Sequence, residues 1–252
     1  MKSLKQRLKD NEQLIGTFII SILNPDVILM IKQAGYDYIT IDCEHGAFDT
    51  QQVNDMLMYS KAIGLPAMVR AAAPTRELIL TYMESGAAGI LLPNVETIEE
   101  AQKLVEYAKY APLGNRGVST LRPHTEYASI ANLNEYMEQA NEETFLIFQV
   151  ESKKSVENVE KIIAVEGIDA AFIGPFDLSQ SYRCVGQFDN PELLQGMHKV
   201  LKACSDAGKH SGIFCPSVPM LKKWQAEGAT LNLFAAEGVF FQIGLAEINK
   251  AR

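Results

Sequence analysis

The chain has 252 residues, of which 47% are hydrophobic and 21% are charged, so it can bury a full core. Its 31 acidic residues outnumber its 23 lysines and arginines, and the net charge of −8 disfavours nucleic acid as a partner because the phosphate backbone would be repelled. No apolar run reaches the roughly 18 residues that span a bilayer, and the charged N-terminus lacks the apolar stretch of a signal peptide. We therefore expect a soluble, cytoplasmic protein without a membrane or nucleic-acid partner.

Short β-branched runs alternate with longer segments of helical periodicity, which is typical of βα units around a parallel sheet. Capping boxes formed by Asp49 with Gln52 and by Thr97 with Glu100 mark two helix starts, and glycines before several strands mark helix ends. The predicted strands are residues 17–20, 38–42, 67–70, 89–92, 145–150, 170–173, 212–215 and 231–234.

Eight strands in a chain of this length fit a closed (β/α)8 TIM barrel better than an open doubly wound sheet, and no GxGxxG motif follows the first strand. Residues 1–252 are then expected to form a single barrel domain. Residues 111–143 do not fit one βα unit. Their Pro-Leu-Gly-Asn-Arg-Gly stretch at 112–117 predicts an ordered excursion beside the sheet, in which Arg116 either pins the loop or contacts substrate.

The active site of a parallel barrel lies at the carboxyl ends of its strands, so polar residues that end apolar runs are informative. Four predicted strands end in this way, with Asp42-Cys43-Glu44-His45-Gly46, Arg70, Gln149-Val150-Glu151 and Gly174-Pro175-Phe176-Asp177. Several carboxylates at one mouth repel one another unless a cation lies among them. Oxygen ligands without thiolates or paired histidines favour Mg²⁺ or Mn²⁺.

Each of these residues also has a purely structural interpretation. Glu151 and Asp177 could serve only as acidic residues in the first turn of a helix. Arg70 could be an ion-pair partner anchored by Asp42, and His45 could be a surface histidine. Because four strands end in such groups, we favour a functional site.

At these residues the chain resembles the HpcH/HpaI family of metal-dependent pyruvate aldolases. The matching motifs follow family order over nearly the whole chain. They are Asp42-Cys-Glu-His-Gly46, Val69-Arg70, Met83-Glu-Ser-Gly-Ala87, Leu91-Leu-Pro93, Pro112-Leu-Gly-Asn-Arg-Gly117, Gln149-Val-Glu151 and Gly174-Pro-Phe-Asp-Leu-Ser179.

The resemblance implies that Glu151 and Asp177 ligate a divalent metal ion, Mg²⁺ or Mn²⁺ with Co²⁺ as a further candidate. Gln149, Gly174 and Pro175 are then expected to line the substrate site. It also implies a homo-oligomer, a hexamer built as a trimer of dimers, in which the last helix is exchanged between neighbouring subunits.

The same resemblance assigns catalytic roles. Arg70 is expected beside the pyruvate oxygens, and His45 is the candidate base, supported by Asp42. Glu84 stands where the family usually has an aspartate associated with the histidine's proton relay, so the chain departs from the family there.

The expected activity is that of a class II aldolase, which reversibly cleaves a 4-hydroxy-2-oxo acid to pyruvate and an aldehyde through a metal-stabilised pyruvate enolate. A Schiff-base aldolase would need a lysine on a strand, and no predicted strand contains one. Two alternatives are a CoA-thioester lyase of the citrate lyase β type and a non-catalytic aldolase-like barrel.

Overall fold

A computed structural model describes residues 2–250 as eight parallel strands closed into a barrel. The strands are β1 (Leu14–Ile19), β2 (Tyr38–Asp42), β3 (Ala67–Arg70), β4 (Gly89–Leu92), β5 (Phe145–Val150), β6 (Ala170–Ile173), β7 (His210–Cys215) and β8 (Leu231–Ala236). Each strand pairs with the next along the chain, and β8 pairs with β1 to close the ring. The expected (β/α)8 barrel is confirmed.

Helices follow the strands around the outside of the barrel. They are α1 (Leu4–Lys9), α2 (Asp26–Gln33), α3 (Thr50–Ile63), α4 (Arg76–Glu84), α5 (Ile98–Ala108), α6 (Leu133–Glu143), α7 (Lys153–Ile163), α8 (Pro175–Ser181), α9 (Pro191–Asp206), α10 (Val218–Ala226) and α11 (Glu237–Asn249). Both predicted capping boxes are present, at the starts of α3 and α5. Among the described residues, no helix is both long and apolar enough to cross a bilayer.

Side chains alternate between two apolar layers along each strand. Tyr38, Met68, Phe145 and Phe172 belong to a buried cluster inside the ring, whereas their strand neighbours pack outward against the helices. Leu4 and Leu8 of α1 join the inner cluster, so this short helix covers the amino-terminal end of the barrel. The carboxyl-terminal end is left for polar side chains.

Strand bounds differ from the predicted ones where the pattern is interrupted. β1 begins at Leu14 instead of residue 17, because Gly16 interrupts the apolar run without interrupting the pairing with Tyr38. A Cβ at Gly16 would lie 2.5 Å from the Tyr38 ring, so the glycine makes room for that side chain. β7 begins two residues earlier than predicted, at His210, and β8 continues to Ala236.

The excursion between β4 and β5 is ordered, as predicted, but it packs against the end of α5. Backbone N–H groups of Gly114, Asn115 and Arg116 donate to carbonyls of the last α5 turn and the residues just after it. The chain then passes through a 3₁₀ turn at Pro123–Thr125 and enters α6, which contacts α1.

Candidate active site

The inner face of the barrel changes from apolar to polar toward the carboxyl ends of the strands. In β2 and β3, the inward-facing Tyr38 and Met68 give way to Asp42 and Arg70 two or more positions later. The same alternation in β5 continues from Ile147 to a buried glutamine and glutamate. The period of two therefore places the predicted polar residues together at one mouth.

Arg70 and Asp42 form a buried, two-pronged ion pair between adjacent strands. Arg70 Nε donates to Asp42 Oδ1 at 2.9 Å and Nη2 donates to Oδ2 at 2.5 Å. Burial acts to lower the pKa of Arg70, but the hydrogen bonds and charge of Asp42 outweigh it, so the pKa is raised. The guanidinium also lies 4.6 Å from the centre of the Phe18 ring. Arg70 is therefore a fixed positive charge. The ion pair with Asp42 also agrees with the structural interpretation of Arg70 given above.

Asp42 holds the next loop as well as the arginine. Its Oδ1 accepts hydrogen bonds from the backbone N–H groups of Glu44, at 3.0 Å, and His45, at 3.2 Å. Asp42 contacts the backbone N–H of His45 and not its imidazole. The His45 side chain is 63% exposed, and its Nε2 lies 3.9 Å from Glu44 Oε2. Asp42 therefore positions the loop that carries His45.

Glu151 is a buried carboxylate at the centre of the mouth. Its Oε2 accepts from Gln149 Nε2 at 2.6 Å, and its Oε1 accepts from the backbone N–H of Asn94 at 2.5 Å. Burial raises the pKa of Glu151 to about 7, and the charges of Glu44 and Asp177 act in the same direction. The Asn94 N–H and Arg70 counteract this only in part.

Glu44, Glu151 and Asp177 face a common cavity of about 480 Å³. His45, Asn94, Gln180 and Ser181 complete its lining. Burial raises the pKa of Glu44 too, while Arg70, whose Nη1 lies 3.2 Å from Glu44 Oε2, lowers it. A cation among these carboxylates would relieve the repulsion between them.

The donor atoms of this mouth suit a hard divalent ion. Gln149 Oε1 is buried and has no hydrogen-bond partner among residues 2–250, so it has a free lone pair beside the Glu151 carboxylate. No group of three or more acidic, histidine or cysteine side chains in that range could hold a metal ion by itself. Mg²⁺ and Mn²⁺ sites commonly combine one or two carboxylates with water or substrate oxygens.

Gly174 and Pro175 shape the floor beside these carboxylates. A Cβ at Gly174 would lie 2.7 Å from Gln149 Nε2 and 3.0 Å from Glu151 Oε2, so any other residue would displace these two side chains. The buried Pro175 begins α8, whose first turn carries the exposed Asp177. Both predicted substrate-site residues therefore lie at the mouth.

Glu84 is the one predicted site residue that the barrel does not bring to this mouth. It is the last residue of α4, which runs from the carboxyl end of β3 back to the amino end of β4. There its carboxylate lies 3.6 Å from Arg122, and its carbonyl oxygen lies 3.1 Å from His124 Nδ1. Because helices and strands of a barrel run in opposite directions, Glu84 and His45 lie at opposite ends of one chain, and the catalytic role of Glu84 stays a prediction.

Two residues of the mouth were missed by the sequence reasoning. Asn94 donates from its backbone to Glu151 and from Nδ2 to Glu44 at 3.2 Å, so it joins two of the carboxylates. Glu237, buried at the start of α11, accepts backbone N–H bonds from Ile20, Ser21 and Ile22. Asn94 could have been found, since it is the first polar residue after β4.

An aromatic row borders the mouth on the side of Arg70. Phe18 lies 5.9 Å from Phe214, which lies 6.1 Å from Phe176, and Phe176 packs edge-on against Phe188 at 5.0 Å. Phe176 is 45% exposed. The site therefore offers an apolar wall next to its charged groups.

Comparison with known proteins agrees with this arrangement. Residues 15–241 match the sequence model of HpcH/HpaI aldolase/citrate lyase. The chain belongs to the HpcH/HpaI aldolase/citrate lyase family.

Relatives in the HpcH/HpaI family share most of their length with this chain. A hydroxypyruvate/pyruvate aldolase of Roseobacter denitrificans is 32% identical over 229 residues, which cover 91% of this chain and 88% of the relative. A 2-keto-3-deoxy-L-rhamnonate aldolase of Salmonella gallinarum is 33% identical over 235 residues, covering 93% and 86%. The crystal structure of an HpcH/HpaI aldolase from Desulfitobacterium hafniense DCB-2 has a TM-score of 0.94 at 31% identity, covering 100% and 96%.

The burial of Glu151 predicts how the free energy of unfolding of the metal-free protein depends on pH. Its pKa of about 7 lies above the ordinary 4.5, so its stabilising contribution is complete below pH 4.5 and is lost as the pH rises through 7. Glu151→Gln should therefore gain stability relative to wild type between pH 5 and pH 8.5, by on the order of 3 kcal/mol. Urea unfolding in EDTA measures this difference.

The control is Glu192→Gln, because that carboxylate is 71% exposed. If the difference in free energy of unfolding between Glu151→Gln and wild type does not change with pH, the surroundings of Glu151 do not raise its pKa.

Proposed function

We propose that this chain is a class II pyruvate aldolase that reversibly cleaves 4-hydroxy-2-oxo acids to pyruvate and an aldehyde. The observation that carries the proposal is the convergence of Glu151, Asp177, Arg70 and His45 on one mouth of the barrel. The activities for which the aligned relatives are named support the same reaction class.

The proposed site holds a divalent cation, Mg²⁺, Mn²⁺ or Co²⁺, on Glu151 and Asp177. When bound, the ion supplies Lewis-acid stabilisation of negative charge on the substrate oxygens. The Glu44 carboxylate lines the same cavity, and the Gln149 amide oxygen lies beside Glu151. Their negative charge and partial charge would offset the positive charge of the ion. The raised pKa values of Glu151 and Glu44 support this assignment, because a cation would relieve their repulsion.

The residues of this chain supply the rest of the chemistry. In the cleavage direction, the C4 hydroxyl loses its proton and the C3–C4 bond breaks, which leaves an aldehyde and moves the electron pair of that bond toward the C2 carbonyl oxygen. C3 then takes up one proton to give pyruvate, which balances the proton lost by the hydroxyl. Arg70 Nε and Nη2 are engaged by Asp42, and Nη1 lies 3.2 Å from Glu44 Oε2, so the arginine is held as a fixed positive charge beside the cavity. That charge stabilises the negative charge that develops on the substrate. His45 accepts the C4 hydroxyl proton, directly or through water.

The predicted alternatives make different demands on the mouth. A CoA thioester carries phosphates, yet the cavity is lined by three carboxylates and its nearest arginine is tied to Asp42. This disfavours a CoA-ester lyase. A non-catalytic barrel would have no need for a buried glutamate at a pKa of about 7, since burying such a group destabilises the fold.

The direct test is pyruvate release from a panel of 4-hydroxy-2-oxo acids by protein treated with EDTA and reloaded with Mg²⁺, Mn²⁺ or Co²⁺. We expect turnover that requires the added ion, with a preference for aldehyde portions that can pack on the Phe176 wall. Saturable cleavage of a CoA ester would replace the proposal with the lyase alternative. Cation binding without turnover on the panel would favour the non-catalytic barrel.

We also propose that the chain forms a homo-oligomer, with the family's hexamer as the expected form. Every residue from 241 to 250 is exposed, including four large apolar side chains of α11. Those side chains are Phe241, Ile243, Leu245 and Ile248. Exposed large apolar side chains in this number on one helix are typical of an interaction face.

The double variant Phe241→Asp with Ile248→Asp should therefore dissociate the assembly. Its molar mass, measured by light scattering after gel filtration, is expected to fall toward that of one 27.9 kDa chain. Val185→Asp, at another exposed apolar residue, is the matched control and should keep the wild-type mass. A wild-type mass equal to one chain would contradict the proposal.

A further inference from the structure

A second cavity, of about 510 Å³, lies at the amino-terminal end of the barrel, away from the candidate active site. Its walls include the segment that leads into β3, the turn that leads into β4, and parts of the excursion and of α6. The charged and titratable side chains in its lining are Lys2, Lys61, Arg116, His124, Glu126, Tyr136 and Glu143. None of them takes part in the proposed aldol chemistry.

Arg116 is a buried cation without an acidic partner in this lining. Only 6% of the residue is exposed, and its guanidinium lies over the Tyr110 ring at 4.6 Å. Nε and Nη2 have no hydrogen-bond partner among residues 2–250. Glu84 is near enough for its charge to act on Arg116, but its carboxylate is paired with Arg122. In Arg70 the same two nitrogens hold the Asp42 carboxylate, so Arg116 presents an equivalent edge that no protein carboxylate fills.

His124 adds a buried acceptor next to this cation. Its Nδ1 lies 3.1 Å from the Glu84 carbonyl oxygen, which can only accept, so Nδ1 carries the proton. Burial and the charge of Arg116 lower the pKa of His124 to about 4, so the ring is neutral at pH 7. Nε2 is then an acceptor, and it is buried without a partner in the described part of the chain.

We propose that this cavity binds a small oxyanion that also carries a hydroxyl group, a chemistry shared by 2-hydroxycarboxylates and hydrogen phosphate. The charged oxygens would take the Nε and Nη2 edge of Arg116, and the hydroxyl would donate to His124 Nε2. Access requires a side-chain rotation in the wall. The half-buried Tyr136, whose ring lies 6.2 Å from those of Tyr110 and His124, is placed to provide it.

The other charged side chains of the lining are already paired and do not compete with an anion for Arg116. Lys61 Nζ donates to the His124 carbonyl at 2.6 Å and lies 3.4 Å from Glu126, whose side chain is mostly exposed. Glu143 accepts from Gln139, and Lys2 is paired with Asp10. The acidic residues are thus already engaged, while the Arg116 edge is the strongest donor left.

The test is calorimetric titration of the full chain in EDTA with L-lactate, propionate and inorganic phosphate at constant ionic strength. Lactate and phosphate should bind saturably, and whichever binds more tightly identifies the source of the anion. Arg116→Met should weaken both by at least about tenfold. Arg122→Met, at a neighbouring exposed arginine, is the control and should bind as wild type does.

His124→Phe should keep the affinity for propionate and lose the preference for lactate over propionate, because only lactate has a hydroxyl to donate. Equal binding by wild type and Arg116→Met, or no saturation up to about 50 mM, would overturn the proposal. Within one chain this cavity and the Glu151 mouth lie at opposite ends of the barrel, so the titration and the aldolase assay are read separately.

Arg116 could instead serve only to pin the excursion, and stability separates the two roles. Removing an unpaired buried charge should leave the thermal stability of anion-free protein unchanged or raised. A large loss of stability in Arg116→Met without any effect of anions on wild type would assign Arg116 to the loop alone. If Arg116→Met does not fold, Arg116→Lys, which keeps the charge but not the two-pronged edge, carries the same comparison.

Discussion

Replacing Glu151 by glutamine is expected to abolish both cation binding and aldol cleavage while the barrel stays folded. Outer partners of metal ligands change affinity by about 10 to 100-fold when removed, so loss of a ligand itself should exceed about 100-fold. The fold should survive because the substitution removes a buried charge that its surroundings disfavour. Calorimetry with Mn²⁺ and pyruvate release measure the two effects separately.

Asp177→Asn should give the same loss, since the second carboxylate is proposed to share the ion. Asp189→Asn is the matched control, because that carboxylate is almost fully exposed outside the mouth, and it should behave as wild type. Unchanged Mn²⁺ affinity in both Glu151→Gln and Asp177→Asn would move the cation site elsewhere.

His45→Ala is expected to lower aldol cleavage by roughly 10² to 10⁴-fold while cation and pyruvate binding stay near wild type. The side chain is 63% exposed, and its one close side-chain partner among residues 2–250 is Glu44, at 3.9 Å, so its loss should not disturb the carboxylates.

The matched control for this experiment is His198→Ala. That histidine is also about half exposed, but it pairs with Glu227 at 2.6 Å on the outer helices. Loss of cation affinity in His45→Ala would make His45 a ligand, and cleavage close to wild type would exclude it as the base.

The strands whose apolar runs are uninterrupted were predicted to the residue. β2 through β6 have this character, and glycine or proline punctuates their surroundings. β1 was predicted to begin three residues late because Gly16 resembles a strand end. Gly16 is needed because the Tyr38 ring of the neighbouring strand packs against it, and the local sequence does not show that contact.

The same distinction separates the site residues that could be predicted from those that could not. Asp42 and Arg70 end inward-facing rows, so period and topology place them at the mouth. Glu84 was assigned by family position alone, although the end of a barrel helix faces the opposite rim. Glu237 could not be found locally, because its backbone partners lie more than 200 residues earlier and meet it only when β8 closes on β1.

The charged groups of the mouth come from two arcs of the ring. Asp42 and Arg70 lie on β2 and β3, whereas Glu151 and Asp177 follow β5 and β6. A partly folded chain that contains only one arc has either the fixed cation or the carboxylate pair, and never both. The time at which catalysis recovers during refolding therefore reports when the two arcs join. Recovery of helix content reports only that each arc has formed.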